Sequence, residues 1–467
     1  MAKDLTKGRP FPVLLQFTLP VIGGNLFQLF YTLADTVIVG RTLGAQALAA
    51  VGSTTIIIYF VLCFIQGFTG GFGICLGQRF GAQDTPGMRC SVAVSWGLSL
   101  VFTVAVTALT CGLAHQILHW MQTPDSIYRD AYDYMFVVLL GTGATVFYNM
   151  ISNMLRALGD SRTPLVFLVF SALLNVVLDV VFIVPLQMGV AGAAWATVVS
   201  QFLSAALCTV VGVKKFEVLR TSRSDLTGWQ KAAWQHLRIG FPMGFQMSVM
   251  CIGQLAMQAA VNALGPVAIA GYTAATKVDQ LSVLMNNAFG IALSNFVAQC
   301  YGAGLYGRIR EGVRASLIQT EAANLFMCVL LLACRNAVTP FFIDNPTAET
   351  IQYANGYLLA VAPFYVILGL LLVFRTAVQS MGNSRAPFAA CLVELVMRIG
   401  GTFGLSRVLG YTGICLSSPL AWAGATSLLI PVYVSEIDDA IINTIIKSRI
   451  AFATNVKWPR CPAHRPQ

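Results

Sequence analysis

Long apolar stretches alternate with short polar ones along almost the whole chain, and the apolar stretches show neither the period of two expected of half-buried strands nor a single polar face. Runs free or nearly free of Lys, Arg, Asp and Glu fall near residues 13–39, 47–75, 91–114, 134–155, 164–185, 190–213, 237–263, 272–298, 315–334, 356–374, 387–405 and 412–434. Most reach the roughly 20 residues that a helix needs to cross the hydrocarbon core of a bilayer. Twelve such runs predict twelve membrane-spanning helices. A basic amino terminus, MAKDLTKGRPF, precedes a first run longer than a signal-peptide core, so that run is expected to stay as a helix.

Composition agrees with this. The 467 residues are 57% hydrophobic and 10% charged, far below the quarter of charged residues typical of soluble domains. The net charge of +10 does not point to nucleic acid, because the basic residues sit in short segments between apolar runs. Alternate connections differ: one set carries Lys3, Lys7, Arg9, Arg79, Arg89, Arg156, Arg162, Lys214, Lys215, Arg220, Arg223, Lys231, Arg238, Arg308, Arg310, Arg314, Arg375 and Arg385, the other only Arg41, Arg129, Arg335 and Arg407. The positive-inside rule then puts both termini and the linker 214–236 in the cytoplasm of a cell whose inner membrane the chain spans. The 12 cysteines lie mostly in apolar runs, with no CxxC pair, and are expected as buried thiols.

The second half repeats the first at an offset of about 222 residues. Leu19-Pro20 answers to Phe241-Pro242, and Leu43-Gly44 to Leu264-Gly265. Gln78-Arg79-Phe80-Gly81-Ala82 answers to Gln299-Cys300-Tyr301-Gly302-Ala303, and Gly159-Asp160-Ser161-Arg162-Thr163-Pro164 to Gly382-Asn383-Ser384-Arg385-Ala386-Pro387. Six helices separate equivalent positions, so the halves share one orientation and are related by an axis along the membrane normal. The expected architecture is all-α, two six-helix bundles around a cleft: 1–213, a linker 214–236, 237–435, and a cytoplasmic tail 436–467 in which residues 436–452 could form an amphipathic surface helix.

A charge within hydrocarbon costs at least about 2.5 kcal/mol, so ionisable residues inside the runs are the candidates for function. In the first half these are Asp35 and Asp179. Asn175 lies one helical turn before Asp179, and Thr197 on the next helix offers a hydroxyl. Such oxygen-only donors suit Na⁺ or a proton and do not suit zinc or copper. The competing reading for Asp35 is an interfacial residue paired with Arg41. In the second half Lys277 and Asp279, and Glu394 and Arg398 at i,i+4 spacing, balance acid with base, which places the coupling cation in the first half. Phe27, Phe30, Tyr31, Phe147, Tyr148, Met250, Met257 and Met285 are candidates for an apolar cleft wall open to flat cations. The four histidines lie at helix ends or in loops, and no nucleophile with a base stands within a helix, which argues against an intramembrane enzyme.

Taken together, Leu-Pro in the first run, Ala34-Asp35-Thr36-x-x-Val39-Gly40-Arg41-x-Leu43-Gly44, Gln-x-x-Gly-Ala after the second and the Leu158-Gly-Asp-Ser-Arg-x-Pro164 turn resemble the multidrug and toxic compound extrusion (MATE) family, over roughly residues 10–435. The resemblance implies an antiporter, with no cofactor beyond its coupling ion, that exports organic cations through a V-shaped cleft in exchange for Na⁺ or H⁺; the chain is expected to be a monomer. It also implies that Asp35, Asn175, Asp179 and Thr197 form the cation site of the DinF-like branch. Another branch carries a cation-binding Glu in helix seven; here that segment reads MSVMCIGQ, without a carboxylate. A flippase for a lipid-linked precursor is the rival reading within transport, and it finds only Lys277 and Arg398 as basic groups at depth.

Overall fold

The computed structural model describes residues 4–343 and 346–455. Apolar composition makes the chain helical throughout, since a bilayer leaves backbone N–H and C=O groups no partner but their own helix. The spans are α1 (Pro10–Gly44), α2 (Gln46–Gly81), α3 (Thr85–Gly112), α4 (Asp125–Leu140 and Thr142–Ala157), α5 (Arg162–Ile183), α6 (Gly189–Lys215), α7 (Trp229–Asn262), α8 (Pro266–Gly302), α9 (Tyr306–Phe342) and α10 (Ala348–Ser380). A final helical stretch, Arg385–Asn455, is broken at Gly410, whose φ of 56° and ψ of −132° no L side chain adopts readily, so it divides into α11 (385–409) and α12 (411–455). The twelve spans expected from the apolar runs are therefore present. The tail begins as the last turns of α12, with Ile437 buried and Asp438 paired to Arg310; residues 456–467 lie outside the described residues.

The repeat is visible in the backbone. Left-handed residues fall in pairs 221–223 positions apart: Gly44 with Gly265, Gln83 with Gly304, Gly159 with Gly382 and Gly189 with Gly410. Each pair ends one span and starts the next at the same place in both halves. The fourth spans are broken alike, α4 by a 41° bend at Gly141 and α10 by a 3₁₀ turn at Ala362–Phe364. The two Gly-x-Ser-Arg-x-Pro turns share a cap as well. Asp160 Oδ1 accepts from the N–H groups of Arg162 and Thr163 at 3.1 and 3.0 Å, and Asn383 Oδ1 from those of Arg385 and Ala386 at 3.1 and 3.2 Å.

The halves meet along two antiparallel seams, α2 on α7 and α1 on α8. In the first, Gly67 and Gly71 lie so close to Met243 and Gly240 that a Cβ on either glycine would overlap backbone. In the second, the repeat-related Ala288 and Ala292 are buried with Leu14, Phe17 and Val21. At the basic end α2 and α8 cross: a Cβ at Gly81 would overlap the Gln299 carbonyl, and one at Gly302 the Gln78 carbonyl. The two glutamines then reach across in mirrored fashion. Gln78 Nε2 donates to Ser380 O at 2.9 Å, and Gln299 Nε2 to Ala157 O at 2.8 Å. Arg308 secures the amino-terminal segment beneath this crossing by donating to the carbonyls of Leu5, Lys7 and Gly8. Among the described residues, hydrogen bonds between the halves run from the basic end as far as Asn25 with Leu284 and Phe60 with Ser248, and residues 26–59 and 252–283 make none to the opposite half.

Candidate functional site

In the first half, the bend in α4 and the packing of α5 on α6 turn three helices' polar groups towards one point beneath the cleft wall. Asn175 and Asp179, a turn apart on α5, are both fully buried. Asn175 Nδ2 donates to Thr197 Oγ1 on α6 at 3.2 Å, and that hydroxyl also lies 3.3 Å from Tyr31 Oη on α1. Asp35, one turn beyond Tyr31, lies near enough to Asp179 for the two carboxyls to interact electrostatically. Tyr134 on α4 stands within electrostatic range of both acids and of Tyr31. The four residues expected from the sequence are thus assembled in one place, with Tyr31 added as a polar contact rather than as an apolar wall. Arg41 is exposed and does not pair with Asp35, because α1 carries it on past the pocket.

What distinguishes the pocket is its surplus of acceptors. Asp35 Oδ1, Asn175 Oδ1 and both carboxylate oxygens of Asp179 are buried without a donor. A buried polar atom left unpaired costs roughly 1–3 kcal/mol, and more if charged. Two carboxylates side by side in an apolar wall require a positive charge between them, supplied by a proton or by a cation with a preference for oxygen. The residues present fit either.

The second half is arranged differently. Glu394 and Arg398 do form the expected i,i+4 pair, at 2.7 Å, but Glu394 is also bound by Arg375 at 2.5 Å. Arg375 therefore does not belong among the connecting-loop residues. It lies in α10, is 3% exposed, and turns the pair into a buried triad of one acid and two bases. The second half is thus not locally neutral at this point but carries a net positive charge. The signal was the continuation of apolar residues beyond Arg375 in Thr376-Ala377-Val378, which keeps the helix going. Lys277 and Asp279 are not a pair: Lys277 is exposed, whereas Asp279 turns inward and accepts from the hydroxyls of Tyr357, at 3.2 Å, and Tyr365. A further acid, Glu321 on α9, escaped the sequence reading although it stands inside an apolar run with Asn324 three residues on. Of the proposed cleft residues, Phe27 and Phe30 are exposed, while Met257 is buried against Ser418.

Two repeat-related six-helix bundles with acids buried at membrane depth define a multi-pass membrane protein built by duplication. The MatE family model matches residues 20–181 and 242–403, once in each half, and the chain belongs to that family. It is 31% identical over 423 residues, covering 89% of this chain and 93% of the relative, to the "Probable multidrug resistance protein YpnP" of Bacillus subtilis. It is 23% identical to the "FAD transporter" of Shewanella oneidensis, over 87% of this chain and 91% of the relative. A solved structure titled "Outward-facing conformation of a multidrug resistance MATE family transporter of the MOP superfamily" superposes with a TM-score of 0.87 over 94% of this chain and 98% of that one, at 22% identity.

Proposed function

We propose that the protein is a secondary antiporter that exports organic cations, drugs and related xenobiotics across the plasma membrane in exchange for Na⁺ or H⁺ held by Asp35, Asn175, Asp179 and Thr197. The observation that carries this is the surplus of buried, unpartnered oxygens on Asp35, Asn175 and Asp179. The basic end, with Arg79, Arg89, Lys214 and Arg308, is the cytoplasmic face, and both termini lie there. The conformation is then outward-facing: the Gln78 and Gln299 clasps close the cytoplasmic side, and the cleft opens outward. Loading the cation halves the charge of the acid pair, or removes it where the pair already shares one proton, and lets α1, α5 and α6 draw together, while release restores the repulsion between the carboxylates. α1 carries Asp35 at one end and packs at the other against α8 of the opposite half, so a shift at the pocket is transmitted to the seam between the halves. Both walls of the cleft come from one chain, so a monomer suffices.

The deciding experiment uses purified protein in liposomes loaded with a fluorescent organic cation, with a Na⁺ gradient and a pH gradient imposed separately. The wild type moves the dye under one gradient and Asp179→Asn does not; dye movement unchanged by the substitution removes the pocket from the mechanism. The net positive triad in the second half and the likeness to a FAD transporter favour a second reading, export of an anionic endogenous metabolite or a lipid-linked head group. A flavin nucleotide loaded in place of the dye separates the two.

A further inference from the structure

The second half holds a polar pocket of its own, distinct from the Arg375–Glu394–Arg398 triad. α8 contributes Ser282 and Asn286, α9 contributes Glu321 and Asn324, and α10 passes over them at Gly369. Asn286 Nδ2 donates to Asn324 Oδ1 at 2.8 Å and to Ser282 O at 2.9 Å, and Asn324 Nδ2 donates to Tyr365 O at 3.0 Å. The donors of Asn286 are thereby used up, whereas Asn324 keeps one N–H beside the Glu321 carboxylate. Four acceptors are left buried without a partner: Ser282 Oγ, Asn286 Oδ1, and Oε1 and Oε2 of Glu321. Ser282, Asn286 and Asn324 are 0%, 3% and 2% exposed, so water is no obvious substitute.

The backbone above is cut to suit this group. A Cβ at Gly369 would overlap the ends of the Glu321 and Asn324 side chains, so a larger residue there would push both out of their present places. Glu321 flanks the buried face of α9, yet its two oxygens turn inward. Among the described residues, no Lys, Arg or His pairs with it, and Arg375 of α10 and Arg398 of α11 are engaged with Glu394. Asp279, the neighbouring acid on α8, is by contrast satisfied by two tyrosine hydroxyls.

One carboxylate, one amide oxygen and one hydroxyl, all unpartnered and with no nitrogen or sulfur donor beside them, suit a small monovalent cation that prefers oxygen. A divalent ion is a poor match, because a single negative charge would leave it uncompensated in hydrocarbon. We infer that Ser282, Asn286 and Glu321, with Asn324 orienting the amide and the carboxylate, form a second Na⁺ site in the carboxy-terminal half, independent of the pocket at Asp35 and Asp179. The site sits against Tyr365, whose backbone oxygen accepts from Asn324 and whose hydroxyl donates to Asp279, so its occupancy bears on the break in α10.

The test is calorimetric titration of Na⁺ into the full-length protein in lipid nanodiscs, in a choline buffer. Glu321→Gln takes up one equivalent fewer than the wild type, which takes up two if the pocket at Asp35 and Asp179 holds Na⁺, with one left in Asp179→Asn, and one if that pocket holds a proton. Asn286→Leu, which keeps the volume and removes the amide oxygen, weakens the second site about tenfold or more and leaves the first alone. Undiminished stoichiometry in Glu321→Gln overturns the inference. So does an infrared band of a protonated carboxyl that disappears in Glu321→Gln yet ignores Na⁺ in the wild type, since Glu321 is then a neutral structural acid. If Asp179→Asn retains both equivalents, the coupling role of the first pocket fails separately, and the second site still stands or falls on Glu321→Gln.

Discussion

The two halves share a backbone plan but not a polar pocket at the same place. The repeat offset set by Pro20 and Pro242 puts Met257 opposite Asp35. The offset of the paired Gly159 and Gly382 turns puts Arg398 opposite Asn175 and Thr402 opposite Asp179, and that of Gly189 and Gly410 puts Ser418 opposite Thr197. The counterparts lie together too: Ser418 Oγ lies 3.1 Å from Met257 Sδ, and Thr402 Oγ1 donates to Ser417 Oγ, beside Ser418, at 3.0 Å. The scaffold that holds two acids in one half holds a thioether, two hydroxyls and a guanidinium in the other. Duplication therefore preserved what the chain needs to fold, namely turns, breaks and seams, and left the pocket residues free to diverge.

The sharpest way to break this comparison is to exchange the pocket chemistry. Asp179→Asn is expected to reduce gradient-driven transport to the rate of protein-free liposomes. Met257→Asp in an Asp35→Met background should not restore it, because the acid then faces Thr402 and Arg398 rather than a second carboxylate. Restored flux would show that the two positions are interchangeable and that the asymmetry is incidental.

A smaller effect is expected at the seams, read by thermal unfolding in detergent. Gly71→Val pushes a side chain into the Gly240 backbone, whereas Ala292→Val adds two methyl groups among side chains that can shift. Overpacking costs about 1–3 kcal/mol where side chains yield, and the first variant should exceed the second because backbone yields less. Oxidative cross-linking of Cys63 to Cys251, whose Sγ atoms are 3.5 Å apart across the α2–α7 seam, should stop transport reversibly. Full activity of the cross-linked protein would mean that this seam does not open during the cycle.

Most of the architecture was legible in the sequence because its causes are local. A run of some 20 apolar residues dictates a span, and the glycines at 44, 159, 265 and 382 mark turns through a φ that other residues avoid. The first pocket was legible because carboxylates are costly in hydrocarbon and therefore conspicuous. What escaped was relational. Arg375 reads as a loop residue until α11 brings Glu394 beside it, and Glu321 passes unnoticed in its run until Gly369 is seen to make room for it. Tyr31 could be read as a wall aromatic because its hydroxyl partner, Thr197, is 166 residues away. Neither spacing nor composition reports such pairings.

Weaker still is the expected difference between the two glutamine clasps. Gln299 serves twice, its Nε2 donating to Ala157 O and its Oε1 accepting from the Leu5 N–H at 2.9 Å; Gln78 Nε2 donates to Ser380 O, with a marginal contact to Gln235 at 3.5 Å. At about 1 kcal/mol for each lost hydrogen bond, Gln299→Ala should open the basic end more than Gln78→Ala. Spin-label distances across the basic end, with the larger shift in Gln299→Ala, would bear this out, and equal shifts would mean that the amino-terminal segment takes no part in closing it.

The smallest effect separates the twin turns by pH. Burial works against ionisation of Asp160, but Lys215, Thr163 and the turn's N–H groups outweigh it and hold the carboxyl below the usual Asp value. A depressed pKa in the folded state means that the charged cap stabilises fully above about pH 4, the unfolded value, and loses that contribution as pH falls further. Asn383, its counterpart, has no proton to gain. Asp160→Asn should therefore flatten the acid limb of the stability curve below about pH 4, at a cost near neutral pH of about 1 kcal/mol from the weakened cap and the lost ion pair. Asn383→Asp tests the converse: without a lysine in the place of Lys215, and with Glu436 bonded to the side chain at this position, a second carboxylate there should destabilise the protein near neutral pH and be relieved in acid. A stabilised Asn383→Asp would mean that backbone donors alone suffice to hold the charge, and that Lys215 contributes little to the difference between the two turns.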